Sequence, residues 1–90
     1  MKLKEKEFEE ILEELKSLVN QLGATLRIEN GDFKGGYCLM KEKKIIVINK
    51  LTNSQRRAII LSTALKELGI DNIYVQPRLR EIIDNLVEEP

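Results

Sequence analysis

Apolar residues recur along this chain at two different periods, and the switch between them marks out its elements. Phe8, Ile11, Leu12, Leu15, Leu18, Val19 and Leu22 fall at the three-to-four spacing of one helical face, which predicts a helix over residues 4–22. Five glutamates between Glu5 and Glu13 load its N-terminal half with negative charge, as the positive end of the helix dipole favours. Gly23 follows the last apolar position and reads as the C-terminal stop. The period then drops to two. Ala24, Leu26 and Ile28 alternate with Thr25, Arg27 and Glu29, the pattern of a half-buried strand.

Asn30-Gly31 is the residue pair favoured in tight type I′ hairpin turns, and Gly35-Gly36 suggests a bulge or bend before a second strand. Tyr37–Met40 and Lys44–Asn49 then form a hairpin around Lys41–Lys43. Ile45-Ile46-Val47-Ile48 is apolar on both faces, so this strand belongs at the centre of a sheet, covered twice or covered once and buried again in an oligomer. Thr52-Asn53-Ser54-Gln55 fits a capping box, in which the Thr52 hydroxyl and the Gln55 amide satisfy each other's orphan amides. The helix it opens runs to about Leu68, with Ala58, Leu61, Ala64, Leu65 and Leu68 as its stripe and Gly69 as its stop. Ile73-Tyr74-Val75 is short and extended in character. Pro77 opens a last helix carrying Leu79, Ile82, Ile83, Leu86 and Val87.

The order is α-β-β-β-α-(β)-α. It predicts an α+β domain, a three-stranded antiparallel meander with helices packed on one face. The alternative makes Ile73–Val75 a fourth short strand, parallel to the third. Ninety residues make a single domain. Such a chain buries roughly 60–65% of its unfolded surface, and self-association is the natural supplement to a core of that size. A lone cysteine, Cys38, offers no internal disulfide and suits a reducing compartment. No apolar run approaches the ~18 residues of a membrane span, and the N-terminus is too polar for a signal peptide, so the chain reads as cytoplasmic with no membrane partner.

Charge changes the picture more than composition does. The net formal charge is zero, but residues 1–33 carry five basic and eight acidic side chains, residues 34–66 eight and one, and residues 67–90 two and six. A basic block thus lies between two acidic ones. It can neutralise the acidic helices of its own chain or of a second copy, or it can receive an acidic protein or a phosphate-containing partner. Two helix starts sharpen the second reading. Arg56 and Arg57 stand just past the first turn of the second helix, and Arg78 and Arg80 flank Leu79 in the third, where the dipole disfavours cations by tenths of a kcal/mol. With Lys50 they make a candidate anion site, in which backbone amides and guanidinium forks would act together. The competing expectation pairs these arginines with Glu9, Glu10 or Glu13 of the first helix, or with another subunit. Lys41, Lys43 and Lys44 would extend the patch for nucleic acid, but only Tyr37 lies there to stack a base, so nucleic acid is disfavoured.

Several kinds of catalytic chemistry are excluded by residue type, while catalysis by lysine or by Cys38 stays open as a third reading. Without histidine and with one cysteine, the usual zinc ligand sets cannot be assembled, and Glu29 and Asp32 do not make a carboxylate site for a harder metal. Ser17, Ser54 and Ser62 have no imidazole partner. Cys38, between Tyr37 and Leu39, is expected to be a buried, inert thiol. Asn30–Gly36 with Lys34 is only loosely like a phosphate cradle, because it leads into a strand and not into a helix. No catalytic residue, metal or cofactor is assigned.

From Gly31 onward the chain resembles a family of short bacterial proteins. The shared features are Gly31-Asp32-Phe33, Gly35-Gly36-Tyr37-Cys38, Ile45–Lys50, and Ile73-Tyr74-Val75-Gln76-Pro77 with Arg80, over about two-thirds of the chain. That family carries no assigned activity, so the resemblance implies a fold and no site roles. A weaker resemblance links Ile48-Asn49 and the following helix to minimal zinc-peptidase domains of the antirepressor-cleaving kind. Leu61-Ser62-Thr63-Ala64-Leu65 stands where their His-Glu-x-x-His would be, so that likeness implies a non-catalytic relative. The function expected from these readings is a non-enzymatic binding domain that self-associates as a homodimer, with an anion-binding or nucleic-acid-binding module as the alternative.

Overall fold

The computed structural model describes residues 3–31 and 37–87. Helix α1 spans Glu5–Gln21 and buries Phe8, Ile11, Leu12, Leu15, Leu18 and Val19, the stripe its periodicity predicts. The Lys4 amide donates to Glu7 Oε1 at 3.2 Å, satisfying one donor at the helix start. Gly23 takes a left-handed φ of +72° and ends the helix. This lets the Ala24 amide reach back to the Val19 carbonyl at 3.0 Å.

Three strands follow: β1 (Thr25–Glu29), β2 (Tyr37–Met40) and β3 (Ile45–Asn49). Their order in the sheet is β1-β3-β2, with β1 parallel to β3 and β2 antiparallel to it. The expected meander is therefore corrected. Its Asn30-Gly31 hairpin does not form, because β1 and β2 are not neighbours. A meander would put β2 in the middle and leave β3 on an edge. Ile46 and Ile48 are instead wholly buried, and Val47 nearly so, which requires β3 to be flanked on both sides. At the end of β3, Asn49 Nδ2 donates to the Gly31 carbonyl at 2.7 Å. The bend expected at Gly35-Gly36, and Asp32 and Lys34 with it, lie outside the described residues.

The β2–β3 hairpin forms as read, and Lys44 in its turn takes a positive φ of 53°. From that turn Lys44 Nζ donates to the Leu22 carbonyl at 3.1 Å, tying the hairpin to the end of α1.

Helix α2 (Ser54–Glu67) packs against α1, β3 and the last helix, α3 (Pro77–Leu86). That central position explains why Ile60 and Ser62 are buried along with Ala58, Leu61, Ala64 and Leu65. Its cap is not the expected Thr52–Gln55 box. Asn53 is the N-cap, its Oδ1 accepting from the Arg56 amide at 2.8 Å. Asn caps as well as Thr does, and the one-residue shift leaves the Thr52 hydroxyl to donate to the Asn49 carbonyl at 2.7 Å, closing the preceding turn. Gly69, at φ +95°, stops α2 as predicted, and Ile70 folds back fully buried. Residues 70–72 form a single 3-10 turn. Ile73 is extended, but 73–75 pairs with no strand, so the fourth-strand alternative is not formed.

All three helices share one core with the inward face of the sheet. Leu26, Tyr37, Leu39, Ile46 and Ile48 point into it. By strand alternation, Arg27, Cys38, Met40, Ile45 and Val47 belong to the other face, on which no helix lies among the described residues.

Candidate functional site

A concavity among the described residues lies between α1 and the segment that leads into α3. Glu14, Ser17, Leu18 and Gln21 line one wall, and Tyr74, Val75, Gln76 and Leu79 the other, around about 330 Å³. Helical spacing explains the first wall. Leu18 belongs to the buried stripe, while Glu14, Ser17 and Gln21 follow one another three or four residues apart on the adjoining strip. The second wall depends on the 3-10 turn, which leaves Val75 buried and Tyr74 turned outward with 77% of its surface exposed. The floor is apolar (Leu18, Val75, Leu79), and the walls offer a carboxylate, a hydroxyl, two amides and a phenol. Arg78 Nη1 lies 3.5 Å from Glu14 Oε2, joining the walls at the level of α3. The cleft holds groups that can hydrogen-bond a ligand but no nucleophile paired with a base. Tyr74 and the α1 residues are absent from the sequence-based candidates. The detectable signal was a tyrosine between two aliphatic residues just before a helix-opening proline.

The five basic residues of the candidate anion site are placed by three separate structural tasks. Arg57 Nη2 donates to the Lys50 carbonyl at 2.9 Å, and its Nε lies 3.2 Å from Thr52 Oγ1. It therefore ties the β3–α2 connection to the helix it precedes. Lys50 itself is exposed there, and its amide bonds the Glu29 carbonyl at 2.9 Å. Arg56 sits beside them, its amide in the Asn53 cap. Arg80 does the same work at the far end of α2: Nη1 contacts Asp71 Oδ1 at 2.6 Å, and Nη2 reaches the Ile70 and Ile73 carbonyls at 3.3 and 3.4 Å. Thirteen residues of helical rise, about 20 Å, separate those two ends. Arg78 pairs with Glu14 of α1, one position along from the glutamates expected as partners. The structure places Lys50, Arg56 and Arg57 at the β3–α2 junction and Arg78 and Arg80 in α3.

Asp71 and Lys66 form a cluster with displaced titration. The hydrogen bond from Arg80, then that from Lys66, holds the Asp71 carboxyl below its ordinary value. Asp84, 2.7 Å from Lys66 Nζ, is the main cause holding the Lys66 ammonium above its own, with Asp71 reinforcing it. The network links α2, the 3-10 turn and α3.

Cys38 corrects an expectation. Its thiol is exposed, because alternation along β2 turns Tyr37 and Leu39 to the core and Cys38 to the uncovered face. Among the described residues, no group of three or more His, Cys, Asp or Glu side chains is placed to hold a metal ion. No helix among them is long and apolar enough to cross a membrane. Searches of protein-family models, curated proteins and solved structures returned no match to this chain.

Proposed function

We propose that this chain is a non-catalytic binding domain that works by association, with a second copy of itself as the first partner. The observation that carries this reading is the half-covered sheet. All the helices pack on one face. The other presents Cys38 and Met40 on the outer strand β2, Met40 38% exposed, beside a half-buried Ile45 on β3. Among the described residues no helix lies on that face and no further strand pairs with β1 or β2, which leaves apolar surface and backbone donors that a partner strand or face can complete. The cleft beside Tyr74 lacks a reactive pair, which favours binding over turnover there. The anion-binding alternative is the weaker reading, since the guanidinium groups of Arg57 and Arg80 are engaged with backbone carbonyls.

Sedimentation equilibrium and light scattering on the purified chain, from micromolar to millimolar concentration, test the proposal. A reversible monomer–dimer equilibrium is expected. A monomer throughout that range overturns it. Titration with phosphate, nucleotides and short oligonucleotides, followed by thermal shift, is expected to give no specific stabilisation.

A further inference from the structure

The outer edge of β1 carries a pattern that fits a second copy of itself in one register only. In its parallel pairing with β3, the Thr25 amide donates to the Lys44 carbonyl at 2.8 Å and the Lys50 amide to the Glu29 carbonyl at 2.9 Å. Those two bonds fix which residues face β3: Thr25, Arg27 and Glu29. Leu26 and Ile28 therefore aim their N–H and C=O groups at the open edge. Side chains alternate independently of this. Arg27 and Glu29 share the uncovered face and form an ion pair with each other, their side chains 56% and 40% exposed. Ile28 lies on the other face and is one of the few large apolar residues left substantially exposed, at 39%.

We infer that β1 pairs antiparallel with β1 of a second copy about a two-fold axis at Ile28, joining two three-stranded sheets into one of six strands. The inference rests on the self-association reading above. Three independent features select this register. First, Ile28 opposite Ile28 of the second copy is a hydrogen-bonded pair, because this is the residue whose amide and carbonyl face outward, and the two residues exchange both bonds. Second, the neighbouring positions are then Arg27 opposite Glu29 of the second copy and Glu29 opposite its Arg27. These fall at the non-hydrogen-bonded sites, where Cα atoms approach to about 4.5 Å and side chains interact most closely. Third, the half-exposed Ile28 side chains meet each other across the axis on the helix-covered face. A shift that centres the axis on Arg27 sets arginine against arginine. A shift to Leu26 sets Arg27 against Thr25 and leaves Glu29 without a partner. The symmetric interface reuses one strand as both halves, as an isologous dimer requires. The other outer strand, β2, carries no charged residue in Tyr37–Met40, so nothing of this kind selects a register there.

The contact is small, so a dimer with a dissociation constant in the micromolar range or weaker is expected. Charge reversal tests the register. Glu29→Arg turns both cross-axis attractions into repulsions and is expected to weaken association by on the order of tenfold or more. The double reversal Arg27→Glu with Glu29→Arg restores complementarity and should return the dissociation constant to near the wild-type value. Sedimentation equilibrium reads each variant, and circular dichroism confirms that each is folded. A wild-type chain that stays monomeric to millimolar concentration overturns both this inference and the reading it rests on. A dimer that persists unchanged in Glu29→Arg, or one that the double reversal does not restore, overturns the β1 edge alone and leaves self-association standing through another surface.

Discussion

Ser62 provides the sharpest test of how the core is held together. It lies in the middle of α2, its side chain is completely buried, and its hydroxyl has no hydrogen-bond partner. An unpaired hydroxyl taken out of water costs about 1–3 kcal/mol. Replacing it with alanine removes that cost and adds a few tenths of a kcal/mol of helix propensity. Against this stand the dispersion contacts of one oxygen atom, each about 0.1–0.2 kcal/mol. The net expectation for Ser62→Ala is a gain of about 1–2 kcal/mol. In a domain of this size, each kcal/mol raises the melting temperature by about 4–8 °C. Urea denaturation followed by circular dichroism measures the effect, with an unchanged dependence on denaturant showing that only stability moved. The adjacent Leu61→Ala, also fully buried, serves as the opposite control and should lose about 2–5 kcal/mol. If Ser62→Ala proves neutral or destabilising, the hydroxyl is satisfied within the fold, and the tight packing of α2 on its neighbours does not carry the cost assigned to it.

Arg57→Ala should lose about 1–2 kcal/mol by freeing the Lys50 carbonyl and the Thr52 hydroxyl, and Arg57→Lys should recover little of it, since an ammonium does not reproduce the guanidinium fork; chemical denaturation of both variants decides this. Gly69→Ala should cost about 1–2 kcal/mol, because φ is +95° there and an added Cβ would sit 3.1 Å from Asn72 Nδ2, while Gly23→Ala, at φ +72° with open space around it, should cost less; a melting-temperature order that puts Gly23→Ala lower refutes the comparison. Asp71 is held below its ordinary value in the fold, so its contribution is present above the unfolded value of about 3.9 and is lost as pH falls through the depressed folded value. Lys66 is held above its ordinary value, so its contribution is present below about 10.4 and is lost as pH rises beyond that. Asp71→Asn should therefore flatten the acid limb of a stability-versus-pH curve, and an unchanged limb would remove Asp71 from the account. Cys38 should react with a thiol reagent in the native protein about as fast as in the unfolded chain; strong protection would contradict its exposed position on the sheet.

The helices were legible almost residue by residue, because a helix closes its hydrogen bonds locally and shows its buried stripe directly in the spacing of its leucines and isoleucines. Strand partners were not, because pairing depends on segments far apart in the chain. Asn30-Gly31 argued locally for a hairpin, while the apolar run Ile45–Ile48 argued for a central third strand. Those two statements conflict, since a meander places the second strand in the centre, and burial of Ile46 and Ile48 won. The same distinction explains the cleft. Glu14, Ser17 and Gln21 lie on a helix that was read correctly, but their common wall exists only because a 3-10 turn after Gly69 brings Tyr74 and Val75 alongside. No periodicity in residues 70–76 announces that turn. Cys38 was misplaced for a related reason: its neighbours are apolar, but alternation sends it to the side of the sheet that no described helix covers.

Two of the four arginines near helix starts have internal tasks in the fold. Cations near helix starts are mildly unfavourable, and four of them invited an anionic ligand as the explanation. In the fold, Arg57 and Arg80 each hold the connection at one end of α2, donating to the Lys50 carbonyl at one end and to the Ile70 and Ile73 carbonyls at the other. A guanidinium is suited to this, because its fixed fork can serve more than one acceptor while its charge stays partly hydrated. The dipole cost of tenths of a kcal/mol is outweighed by hydrogen bonds of about 1 kcal/mol or more each. Within the basic middle third, Lys44, Arg57 and Lys66 are held by partners in the chain itself. Arg27 and Glu29 have no comparable structural task. Among the described residues they close no loop and cap no helix, and their ion pair on an outer strand is exposed enough to contribute little to the monomer. In the proposed β1 pairing, these opposite charges two residues apart around Ile28 become complementary across the two-fold axis.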